Sequence, residues 1–108
     1  MNFAEHLQQL PPADHVAALH LFDTEGRCVA TIENRPGQAG SLKIYHALAQ
    51  QHGGLISPAA ARQGLAWYAE HLADAQTHPG KHPNIDRLQA WAAGTTTYRV
   101  ESVLIRPT

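Results

Sequence analysis

The chain has 108 residues, 44% of them hydrophobic and 16% charged, which suits one soluble globular domain and leaves too little for a second core. Its formal net charge of −1 excludes a basic field that would gather nucleic acid or anionic lipid. Histidine is the anomaly, with eight residues, as many as lysine and arginine together.

"NFAEHLQQLPP" places Phe3, Leu7 and Leu10 at helical spacing. Asn2 is a suitable cap, Glu5 completes a capping box, and Pro11-Pro12 ends the helix. The start of the chain has neither a basic segment nor an apolar run. No stretch is long and apolar enough to span a membrane, so a cytoplasmic protein is expected.

"HVAALHLFDTEGRCVATIEN" predicts a hairpin whose turn, Asp23-Thr24-Glu25-Gly26, puts glycine in the left-handed position. Counting outward from that turn groups Val16, Ala18, His20 and Phe22 with Cys28, Ala30 and Ile32. This face is the more continuously apolar of the two and is expected to meet the helices, burying His20. Cys28 is the only cysteine, so no internal disulfide can form.

"SLKIYHALAQQHGG" predicts a helix with Leu42, Tyr45, Leu48 and Ala49 inward, stopped by Gly53-Gly54. "SPAAARQGLAWYAEHLADAQTHPG" predicts the longest helix, capped by Ser57, with Pro58 at its first position. Its buried stripe is Ala61, Leu65, Tyr68 and Leu72. Trp67 falls on a different face, where a partner surface is one use for it. "NIDRLQAWAAG" predicts a last helix with Ile85, Leu88, Trp91 and Ala92 inward. "TTTYRVESVLIR" then alternates as a half-buried strand. The expected fold is a single α+β domain over residues 1–108. It has a three-stranded antiparallel sheet, made of the hairpin and the C-terminal strand, packed on three helices, with a short helix in front.

The stretches "RPGQAGSLKIYHALAQ" and "LAWYAEHLADAQTHPGKHPNIDRL" resemble a family of short bacterial proteins of unknown function. That resemblance implies a bacterial, soluble, single-domain protein. It brings no activity, ligand or catalytic residue.

Two loops carry the candidate chemistry. "HPGKH", residues 78 to 82, joins two helices and puts His78 and His82 near His71 and Asp74. On one straight helix His71 and His78 would lie about 10 Å apart along the axis. That is too far for both to bind one zinc at about 2.1 Å. A metal would therefore take Asp74 with His71 or His78, and His82 folding back. The alternative, which the composition favours, is a Pro-Gly turn whose histidines satisfy helix ends. No cofactor is expected, and zinc or another divalent metal is the weaker reading.

"RPGQAGSLK" leads from a strand through two glycines into a helix start, a geometry that lends backbone N–H groups to an anion. Arg35, Gly37, Gly40, Ser41 and Lys43 are the candidate anion ligands, although no nucleotide-binding motif is matched. Lys43, and Arg62 in the next helix, sit where they oppose the helix macrodipole, as Glu70 and Asp74 do near the other end. The leading expectation is a non-catalytic module that binds a partner protein or its own copy. An anion-binding protein comes next, and a metal-dependent or hydrolytic enzyme using His46, His71, Asp74, His78 and His82 comes third.

Overall fold

The structure, a computed structural model, describes residues 1–106. Asn2 and Glu5 form the expected capping box at the start of α1 (Phe3–Gln9), and the chain turns into β1 (Val16–Phe22) after the two prolines. The Asp23 carboxylate accepts the backbone N–H groups of Glu25 and Arg27, each at 2.9 Å, and Gly26 has φ 80°. This turn feeds β2 (Cys28–Glu33) antiparallel to β1. Then come α2 (Ala39–Gln51), β3 (Leu55–Ile56), α3 (Pro58–Tyr68), α4 (Glu70–Thr77), α5 (Pro83–Ala93) and β4 (Tyr98–Leu104).

The architecture is α+β, with strand order β2-β1-β4-β3, all neighbours antiparallel. The last strand pairs with the first, as expected. The counts differ from the sequence reading. The described residues form four strands rather than three, because β3, too short to show a period, pairs Leu55 and Ile56 with Arg99 and Tyr98. They form five helices rather than four, because the longest predicted helix breaks at Ala69, which adopts φ 51° and ψ −119°.

The buried face of the sheet is the opposite of the expected one. Leu19, Leu21 and Ile32 are fully buried, whereas His20, beside Thr31 and Glu101, lies on the other face. The reason is a register shift: Leu21 pairs with Ala30 but Phe22 pairs with Cys28, which leaves Val29 as an extra residue in β2. One extra residue moves everything beyond it to the other side of the pleat. Ile32 therefore joins Leu19 instead of His20. A second shift between Val16 and Ala18 brings Val16 into the core as well.

Helix α2 touches all four strands and carries Leu42, Ile44, Tyr45, Ala47 and Leu48 into the core. Behind it, α3 packs on both α2 and α5. The two helices approach closely at Gly64, where a β-carbon would lie 2.7 Å from Leu48 Cδ1 and 2.9 Å from Leu88 Cδ1. Helix α1 rests on α2 and α3 with no fully buried residue of its own.

Candidate functional site

The chain leaves β2 through a turn closed by Gln38 N–H and Ala39 N–H on the Arg35 carbonyl and enters α2. The cap residue, Gln38, makes no side-chain cap, and the first turn has no acidic residue. The N–H groups of Gly40 and Ser41 find no acceptor among the described residues. Gly40 has no β-carbon, which lets Phe3 and Leu7 of α1 lie directly against it. A β-carbon there would sit 3.1 Å from Phe3 Cζ and 3.4 Å from Leu7 Cδ1.

Ser41 does not cap its helix. Its hydroxyl accepts a 2.7 Å hydrogen bond from the hydroxyl of Tyr68, at the end of α3. Tyr68 is 2% exposed, and burial drives its pKa far above the ordinary tyrosine value, so the hydroxyl stays neutral and donates. The Phe3 ring stacks on Tyr68 with centroids 5.7 Å apart and meets His71 edge-on at 4.6 Å. The Phe3 N–H also donates to Glu70 Oε1 at 2.8 Å, tying α1 to the start of α4.

On the far side, the 78–82 loop wraps around Asp74. The carboxylate accepts from His82 Nε2 at 2.5 Å and Lys81 Nζ at 3.0 Å, with His78 Nδ1 at 3.3 Å. The hydrogen bond from His82, then that from Lys81, holds the Asp74 carboxyl down to about 2. Gly80 N–H donates to Asp86 Oδ2 at 2.9 Å, which anchors the loop on α5. The Asn84 carbonyl, one turn further, accepts the buried Tyr45 hydroxyl at 2.5 Å.

Together these elements enclose a cleft of about 410 Å³. The two loops singled out from the sequence, far apart along the chain, face each other across it. Gly37, Gly40 and Ser41 lie on one side, and His71, Lys81 and His82 on the other. The other candidates are placed elsewhere. Arg35 pairs with Glu33 at 3.0 Å on the surface, and Lys43 lines a separate hollow of about 240 Å³ that Gly40 also borders. Asp74 and His78 are not in the cleft lining, although Asp74 holds two of the side chains that are. The His71 and His82 rings are 6.0 Å apart. Among the described residues no group of three or more His, Cys, Asp or Glu side chains is placed to hold a metal ion. His46 is buried in α2 against His15 and does not line the cleft. Trp67 is half-buried and packs against the core.

Sequence reasoning missed the apolar wall. Phe3, Leu7, Tyr68 and Ile85 read as ordinary core positions by their spacing, and only the placement of α1 over the start of α2 turns them toward a cleft. Lys81 also lines the cleft, from within the same "HPGKH" stretch. Its signal was the one cation between the two histidines.

The molecule thus belongs to the α+β proteins that carry helices on one face of an antiparallel sheet, and the 410 Å³ cleft lies among those helices. The chain is a member of the family DUF2322, uncharacterised proteins conserved in bacteria, which matches residues 3–102. No curated protein and no solved structure shows a significant match. No helix among the described residues is long and apolar enough to cross a membrane.

Proposed function

We propose that the protein is a small-anion receptor, non-catalytic, whose ligand sits in the cleft between α1, the start of α2 and the 78–83 loop. One observation supports this reading above the rest. The lining brings Lys81, His71, His82 and the free N–H groups of Gly40 and Ser41 together, and contains no carboxylate. A helix start carries roughly half a positive charge, so an anion there gains from both the dipole and direct hydrogen bonds. Asp74 grips Lys81 and His82 from outside the lining, which fixes their positions without filling the cleft.

The test is thermal unfolding in inorganic phosphate against chloride at matched ionic strength. A ligand at a hundredfold excess over its Kd stabilises the native state by about 2.7 kcal/mol. The wild type and Lys43→Gln should both gain stability in phosphate, and Lys81→Gln should gain much less. Equal responses in all three proteins would remove the reading.

Self-association is a second reading, favoured by the unpaired outer edge of β2 beside the exposed Val29. Sedimentation velocity of the wild type and Val29→Lys tests it. A dimer lost in the variant supports it, and a monomer in both disposes of it.

A further inference from the structure

Resting on the receptor reading, we infer that the ligand is a small organic anion with an apolar, ring-sized body, its head a carboxylate or a phosphate monoester. The cleft is too large for an inorganic anion alone. At about 410 Å³ it falls in the range of sites that enclose organic ligands. Its donors occupy only part of the wall, and beside them and Asn84 lies an apolar part made by Phe3, Leu7, Pro83, Ile85 and the ring of Tyr68.

The two kinds of wall meet at Gly40. Phe3 and Leu7 lie against this residue, whose own N–H lacks an acceptor. A head group bound at the N–H groups of Gly40 and Ser41 therefore places whatever follows it against Phe3 and Leu7. Phe3 is itself held, stacked on Tyr68 and edged by His71, so the apolar wall is formed before any ligand arrives. Burying an apolar body there removes it from water, while the charged head meets the helix start and Lys81, whose ammonium also pairs with Asp74 at 3.0 Å from outside the lining. An inorganic ion would leave that wall wetted, and a neutral aromatic would leave the N–H groups of Gly40 and Ser41 unmatched.

Calorimetric titration of the full chain with matched probes tests this. Acetate and inorganic phosphate supply the head alone, phenylacetate and phenyl phosphate add a body, and benzyl alcohol supplies the body without charge. The expected result is that a tailed anion binds at least tenfold tighter than its untailed partner, with benzyl alcohol far weaker. The tighter of the two tailed probes identifies the head. Leu7→Gln should reduce the advantage of the tail without changing the untailed anions, whereas Lys81→Gln should weaken both. In the wild type, nuclear Overhauser contacts from the probe ring to Phe3 and Leu7 give the same answer without any variant. If tailed and untailed anions bind alike, the inference fails and the receptor reading stands. If benzyl alcohol binds as tightly as phenylacetate, or if no anion binds, both fail.

Discussion

Two residues store a cost that can be measured singly. His46 is 6% exposed, and its Nδ1 has no hydrogen-bond partner among the described residues. Burial first, and the nearby His15 second, lowers its pKa from the usual 6.5. The native chain then holds fewer protons at this site than the unfolded one, so stability falls as the pH drops below about 6.5. For one proton the slope is at most about 1.4 kcal/mol per pH unit. Urea midpoints measured from pH 7 to pH 5 should fall more steeply for the wild type than for His46→Phe. Parallel lines would mean that another group carries the acid response. Ala69, at φ 51°, sits where a β-carbon is strained by roughly 1–3 kcal/mol. Glycine there loses about 0.4–1 kcal/mol through the unfolded chain, so Ala69→Gly should leave the protein more stable in urea. A less stable variant would show that the surrounding packing relieves the strain.

The helices explain charges that look misplaced when the sequence is read as one long helix. Because the chain breaks at Ala69, Glu70 stands in the first turn of α4, where an acid suits the dipole, and it also accepts the Phe3 N–H. Asp74, near the other end, is neutralised by the loop that follows it. Arg62, early in α3, donates to the Ala92 carbonyl at 3.1 Å, in the last turn of α5, where a cation is favourable. Among the described residues no such partner explains Lys43. The α3–α5 crossing itself depends on Gly64. Alanine there would gain about 1 kcal/mol of helix propensity but must displace Leu48 and Leu88, at a cost of roughly 1–3 kcal/mol. Gly64→Ala should therefore lower the urea midpoint. An unchanged or higher midpoint would mean that the two leucines move aside freely.

Across the molecule, stability should grade outward from the centre of the sheet. Strands β1 and β4 each have two neighbours, whereas β2 and β3 are edges, and β3 is two residues long. Amide hydrogen exchange should be slowest at Leu19, Leu21 and Val100 and faster along β2. Slow exchange along the outer edge of β2, equal to that of β1, would contradict this order and indicate a second copy paired there. The uncovered sheet face is polar at its middle. His20 Nδ1 lies 3.0 Å from the Thr31 hydroxyl, and Arg99 lies over the Phe22 ring at 4.4 Å.

Legible from residue order alone were the helices with strong period and caps, the hairpin with its turn from Asp23 to Gly26, the antiparallel α+β class, and the pairing of the last strand with the first. These follow from contacts within a few residues, or from an alternation that survives wherever the strand is placed. Local spacing also marked Gly40, Ser41, His71 and His82. What it could not determine was anything decided by one residue of register or by distant packing. Val29 is an ordinary strand residue in composition, yet its insertion as a bulge reverses which face of β2 is buried and sends His20 outward. Nothing near Ala69 breaks a helix by propensity, since alanine favours one. The break appears only in the tertiary structure, alongside the docking of α1 through Phe3 and Glu70. Gly37, Gly40 and Ser41 share a cleft with His71, Lys81 and His82 because the helices pack together, and no spacing along the chain encodes that meeting.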